Sequence, residues 1–204
     1  MNYKFTKFSW LLVGILCLQF PRLAAAGLPT DQTRETADKV LGILQSGTNR
    51  DQRRQQLRDT IYPRFDFSEM AKRSLGQHWS RRSPQEQQEF VKLFIPLLES
   101  SYVDKIESYN GEKVLYTREQ VDGDNAEVFT KVLTKKGEEF SINYKLHRVG
   151  NEWKVYDVVI EDISLVNNYR SQFNRILANA SFDELMKKLQ QKAPDMKAPG
   201  AKKG

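Results

Sequence analysis

Few residues of this chain have both the type and the setting to do chemistry, and Asp157 comes nearest. It stands between Trp153 and Ile160 among valines, on a stretch that reads as a strand. A carboxyl in such a setting is the kind of group that could serve as a general base. A small hydrolase or isomerase built on such a base needs an acid partner at fixed spacing, and none is visible. The alternative use of Asp157 is structural: its carboxylate accepts from backbone N–H groups or pairs with an arginine such as Arg170. The two histidines, His78 and His147, fall in different elements, and the single cysteine, Cys17, falls in the N-terminal apolar run, so no metal-ligand spacing exists. No glycine-rich phosphate loop and no Gly-x-Ser-x-Gly elbow occurs. No catalytic residue, cofactor or metal is assigned.

What the chain has in quantity is apolar and aromatic surface, and the elements that carry it can be placed from their periodicity. Phe140, Ile142, Tyr144 and Leu146 alternate with polar residues, the pattern of a half-buried strand. Gly150-Asn151 turns the chain, and the return strand from Trp153 to Ile160 is apolar at both parities, as expected of a central strand covered on both faces. On it Val155, Val159, Ile163 and Leu165 share a parity, with Ile163 near the end. A helical period follows, with Tyr169, Phe173, Ile176 and Leu177 on one side.

Upstream, Thr30 or Asp31 is expected to cap a first helix, and Asn49 or Asp51 a second. The Arg-rich run of the second reads as a solvated face. Asp66 or Ser68 opens a third helix that stops at Gly76. Ser83-Pro84-Gln85-Glu86 is a capping box with proline at the first helical position, and it starts a long helix whose apolar positions, Phe90, Phe94, Leu98 and Tyr102 among them, span more than one contact face. Pro96 predicts a kink near Lys92 to Pro96. Strands over 113–119 and 126–134 complete, with the hairpin, a four-stranded antiparallel meander. A second capping box at Ser181 and Glu184 opens a last helix. The fold class is α+β, with helices before and after the sheet enclosing an apolar cavity.

The ends are of another kind. Lys4 and Lys7 precede an apolar run from Phe8 to Phe20 and then Ala24-Ala25-Ala26, the layout of an export signal over residues 1–26 cleaved after Ala26. Leu16 before Cys17 does not suit lipidation. The mature chain of 178 residues (204 less 26) contains no cysteine and must be held by a core alone, one domain over 27–192. The formal charge of +6 shrinks when Lys4, Lys7 and Arg22 leave with the signal: 29 basic residues then face 26 acidic ones. The surplus lies in the tail, 193–204 with Lys192, which is rich in Pro, Gly and Lys and is expected to be disordered. A near-neutral body argues against nucleic acid as partner.

The order and spacing of several motifs now carry a resemblance. They are Phe65-Asp66-Phe67, Met70-Ala71, Leu75-Gly76 with Trp79, Ser83-Pro84, then Phe90, Phe94, Leu98 and Tyr102. After these come Trp153, Tyr156-Asp157-Val158, Ile163-Ser164-Leu165 and Asn168-Tyr169-Arg170. In register over nearly the whole mature chain, this resembles the MlaC or toluene-tolerance family of periplasmic phospholipid-binding proteins. One departure is Asp162, where the family usually has Gly.

The resemblance implies a soluble periplasmic carrier, monomeric and without enzymatic activity. It would pass a phospholipid between an outer-membrane lipoprotein complex and an inner-membrane ABC-transporter complex. Another lipid, such as a hopanoid, is the alternative cargo. The lipid-contacting candidates are Phe90, Phe94, Leu98 and Tyr102 on the long helix; Phe140, Ile142, Tyr144, Val155 and Val159 on the hairpin; and Ile163, Leu165, Tyr169 and Phe173 after it. Arg81, Arg82 and Arg170 are the candidate basic contacts for a head group.

Overall fold

The computed structural model describes residues 28–109 and 111–191; the expected export signal with its cleavage site, Cys17 and the tail expected over 193–204 lie outside them. The order of elements is α1 (Pro29–Gln45), α2 (Arg50–Ile61), α3 (Phe67–Leu75), α4 (Pro84–Glu107), β1 (Lys113–Asp122), β2 (Asn125–Leu133), β3 (Glu139–Val149), β4 (Glu152–Ile160), β5 (Ile163–Ser164), α5 (Leu165–Leu177) and α6 (Phe182–Gln190). Short 3-10 turns over Tyr62–Arg64 and Gly76–Arg81 join the early helices.

Local chemistry accounts for most helix boundaries. Asn49, Asp66, Ser83, Ser164 and Ser181 each accept a backbone N–H of the following turn, and the capping boxes at Ser83/Glu86 and Ser181/Glu184 are both closed. Helix α1 differs from expectation. It begins at Pro29 without a side-chain cap, and the Thr30 N–H instead donates to Glu119 on β1 at 2.7 Å. Helix α4 runs unbroken through Pro96. Pro96 and Lys92 both lie on its exposed side, so the Lys92 carbonyl that loses an N–H partner can turn to water.

The sheet is antiparallel with strands in sequence order, β1-β2-β3-β4-β5. It has five strands where four were expected, because Glu161 and Asp162, both at positive φ (49° and 65°), make a two-residue turn. That turn returns the chain along β4 for Ile163 and Ser164 before α5 begins. Beyond β5 the other edge of β4 is bridged by Phe65, with the Asp66 N–H donating to the Val155 carbonyl at 2.9 Å. Strand β4 is therefore next to the edge, not central.

Its double-sided apolar pattern has another cause. Lys145 pairs with Asp157 and Leu146 with Val155, so Tyr156 is an extra residue, a β-bulge. The bulge reverses the parity. Trp153, Val155, Val158 and Ile160 share the inner face, whereas Asp157 and Val159 face the other way. The shared parity expected of Val155 and Val159 does not survive the bulge.

Two buried clusters result. One is helical, built from α3, α4, α5 and α6 around Phe90, Phe94, Tyr169 and Phe173. The other lies on the inner sheet face and holds Ala126, Val128, Leu146, Trp153, Val155, Val158 and Leu165. Phe65 and Tyr102 pack against both.

Candidate functional site

Cross-strand pairing defines the inner face of the sheet. Tyr116 lies opposite Thr130, Thr130 opposite Ile142, and Ile142 opposite Ile160; alongside, Val128 lies opposite Tyr144 and Tyr144 opposite Val158. The end of this face near Ala126, Leu146 and Trp153 is sealed. There the first turn of α1 buries Pro29 and Thr33, and Gln32 accepts from the Trp153 N–H at 3.0 Å. Toward the other end the large residues Tyr116, Phe140, Ile142, Tyr144 and Ile160 are only half-buried. The second half of α4 also keeps Tyr102, Val103 and Ile106 half-buried. Half-covered apolar side chains grouped in this way are what a monomer rarely leaves without a use.

The polar groups here are phenols. Burial pushes the Tyr144 hydroxyl up to about 12. It pushes Tyr102 and Tyr116 higher still, with Tyr169 a further cause for Tyr102, and Tyr144 and Asp38 for Tyr116. All three remain neutral hydrogen-bond donors at any pH the cell presents. Thr130, almost fully buried between them, donates its hydroxyl to the Ile142 carbonyl. The Arg34 guanidinium lies over the Tyr116 ring, 4.5 Å from its centroid, and ties α1 to this face.

The structure sorts the sequence candidates into groups. Tyr102, Ile142, Tyr144, Val155 and Leu165 come together at the inner face, and Phe140 continues it at the far end of β3. Phe90, Phe94, Leu98, Tyr169 and Phe173 form the helical core. Its rings pack edge to face or stacked, with centroids 5.5 Å apart for Phe90–Phe173 and 5.6 Å for Phe94–Tyr169. Val159 is on the opposite face of the sheet, and Ile163 is 43 % exposed at the β5 edge. Sequence reasoning missed Tyr116, Thr130, Val158 and Ile160, which complete the inner face. The alternation of Val128, Thr130 and Val132 was the available signal for β2; nothing in β1 marked Tyr116.

Two of the three arginines expected near a head group are engaged elsewhere. Arg170 donates to the Arg73 carbonyl at 2.7 Å, and Arg82 pairs with Glu86 and lies over Phe182. Arg81 and Arg82 precede α4, so about 28 Å of helix separates them from Tyr102.

Asp157 is buried, 5 % exposed, and its two oxygens are both in use. One accepts from the Val166 N–H at 3.1 Å and the other from the Ser164 hydroxyl at 2.6 Å. It anchors the start of α5, and Arg170 takes no part. No group of three metal-ligating side chains occurs among the described residues, and none of their helices is long and apolar enough to cross a membrane. An open cleft of about 490 Å³ between α1 and α2 is lined by Lys39, Ile43, Gln56 and Asp59 among others, a polar surface apart from the sheet.

A helical and sheet framework with a half-covered apolar interior, and with the one buried carboxylate among its described residues committed to structure, defines an α+β binding protein for an apolar ligand. The chain belongs to the MlaC protein family, whose profile matches residues 34–191. It is 25% identical over 199 residues to the intermembrane phospholipid transport system binding protein MlaC of Haemophilus influenzae, covering 93% of this chain and 92% of that one. It is 28% identical over 169 residues to the toluene tolerance protein ttg2D of Pseudomonas putida, covering 78% of each. In three dimensions it matches a phospholipid-binding protein from Ralstonia solanacearum, solved in complex with a phospholipid. The TM-score is 0.73 and the identity 25%, over 85% of this chain and 99% of the other.

Proposed function

We propose that this protein is a periplasmic phospholipid carrier and not an enzyme. The acyl chains lie between the inner face of β2–β4 and the second half of α4, against Tyr102, Ile142, Tyr144 and Ile160. The observation that carries this reading is the half-covered apolar end of the inner sheet face. The lipid-bound Ralstonia relative supports it. Two acyl chains hold about thirty CH₂ groups at roughly 0.8 kcal/mol each, so moving them through water costs on the order of 25 kcal/mol unless protein replaces bilayer. An apolar wall of sheet and helix meets that need. A carrier must also release its load, so its affinity should roughly match the bilayer's, with direction set by the complexes at either end.

In this reading residues 1–26 are an export signal cleaved after Ala26, residues 27–192 are the lipid-binding domain, and the monomer exchanges lipid with an outer-membrane lipoprotein complex and an inner-membrane ABC-transporter complex. The Haemophilus relative, by name a binding protein of an intermembrane phospholipid transport system, supports that placement. Native mass spectrometry of protein released gently from the periplasm tests the reading. Co-purified phospholipid at near one per chain is expected. A chain that carries no lipid, or only a non-phospholipid such as a hopanoid, would overturn it.

A further inference from the structure

The Tyr102 hydroxyl is buried and has no hydrogen-bond partner among the described residues. Its neighbours differ. The Tyr169 hydroxyl donates to Ser101 at 3.1 Å, and Ser101 donates to the Leu97 carbonyl at 2.8 Å, so the polar groups around Tyr102 are satisfied while its own is not. Packing does not explain the oxygen, because a phenylalanine ring would fill the same space between the helical and sheet clusters without burying an unmet donor. Burial holds the phenol neutral, with its proton on and available.

We propose that Tyr102 donates this hydrogen bond to an acyl-ester carbonyl of the cargo, so that the site favours ester-linked over ether-linked lipids. The inference rests on the carrier function proposed above and names the lipid class more closely. The groups gathered around Tyr102 argue for the ester. Lys105, one turn on and exposed, places its ammonium 5.7 Å from the centroid of the Tyr102 ring, at the water side. The Tyr102 side chain packs against the same apolar cluster as Ile142 and Tyr144. A cation, a neutral donor and an apolar wall thus all meet at Tyr102, the three kinds of group that the phosphate, ester and acyl tail of a diacyl phospholipid call for. A charged phosphate does not belong at a buried neutral phenol, where its desolvation would cost more than one hydrogen bond returns. An ether oxygen is the weaker acceptor and leaves the donor poorly met.

The test is competition for delipidated protein between a diacyl phosphatidylglycerol and its dialkyl analogue of equal chain length, read as bound ratio by native mass spectrometry. The wild-type chain is expected to prefer the diacyl lipid by about 5–10-fold, the value of one hydrogen bond. Tyr102→Phe should bring the ratio to about one, lower diacyl binding only, and leave the melting temperature of the lipid-free protein equal or higher. Ser101→Ala, which removes the partner of Tyr169 instead, should keep the preference. A ratio that survives Tyr102→Phe, a wild-type ratio of one, or a lower lipid-free melting temperature in the variant overturns the proposal while the carrier reading stands. Wild-type protein that takes up neither lipid overturns both.

Discussion

Arg58 on α2 and Glu99 on α4 meet through the Arg58 Nε, which donates to a Glu99 carboxylate oxygen at 2.9 Å, while the Tyr62 hydroxyl donates to the other oxygen at 2.9 Å. One turn pair further along, Arg54 reaches Glu107 at 2.8 Å and Asp104 at 3.0 Å, and Arg50 adds a contact to Asp104. Helix α2 buries a single hydrophobic residue, Leu57. Its Arg-rich run, expected to be a solvated face, stays partly exposed and is also an ion-paired seam along the half of α4 that carries Tyr102.

That seam makes α2 the element most sensitive to acid and salt. The Arg58 hydrogen bond holds the Glu99 carboxyl below its usual range, and Arg54 does the same for Glu107. A depressed carboxyl pKa contributes stability that is present above the unfolded value, about 4.3, and is lost as pH falls through the folded value. We therefore expect α2 amides to exchange faster below about pH 4, and also in about 1 M salt, where screening shortens to ~3 Å. Glu99→Ala should cost about 1 kcal/mol. Hydrogen exchange that leaves α2 as protected as α5 under both conditions would show that packing, not charge, holds it.

The buried carboxylate gives a second expectation. Asp157→Ala leaves the Val166 N–H and the Ser164 hydroxyl without their acceptor, at a cost of about 2–3 kcal/mol, or some 4–12 °C in melting temperature for a chain of this size. Asp157→Asn keeps an acceptor for the Val166 N–H and should retain lipid transfer in full. Loss of transfer in a well-folded Asn variant would revive the general-base role.

Much of this was legible in the sequence because it depends on short-range chemistry. The capping residues Asn49, Asp66, Ser83 and Ser181, the meander and the buried alternation of β2 all follow from groups within a few positions of each other. What was hidden depends on pairing between distant segments. The bulge at Tyr156 is set by how β4 registers against β3, and it alone decides that Val158 rather than Val159 joins Val155. The ion pairs of the α2 arginines were hidden because their carboxylates lie 41 to 54 positions away on α4. The candidate site divided for a related reason. Phe90 and Tyr102 lie on one helix but on stretches that meet different clusters, and periodicity cannot tell a filled core from a half-covered wall.

The turn into β5 yields a stabilising substitution. Asp162 sits at φ 65°, and a non-glycine residue there carries a penalty of roughly 1–2 kcal/mol, partly relieved for Asp. Asp162→Gly should stabilise by about 0.5–1 kcal/mol after the added entropy of the unfolded chain is counted. A lower denaturation midpoint for the variant would mean that the Asp side chain holds the turn.

The last prediction puts a charge beside the proposed acyl chains. Ile163 pairs with Ile160, which is next to Ile142 on the inner face, and it is 43 % exposed at the sheet's edge. In the lipid-free protein a glutamate there reaches water, so Ile163→Glu should cost no more than about 0.5–1 kcal/mol of stability. With an acyl chain alongside, the carboxylate must shed water or take up a proton, a penalty of several kcal/mol that falls on the bound state alone. The variant should therefore fold, melt near the wild-type temperature and carry little lipid. Circular dichroism melting read beside lipid quantification separates the outcomes. A variant that unfolds would make Ile163 part of the core despite its exposure. A folded variant with its full complement of lipid would place the acyl chains away from the β5 end of the sheet, toward Tyr116 and β1.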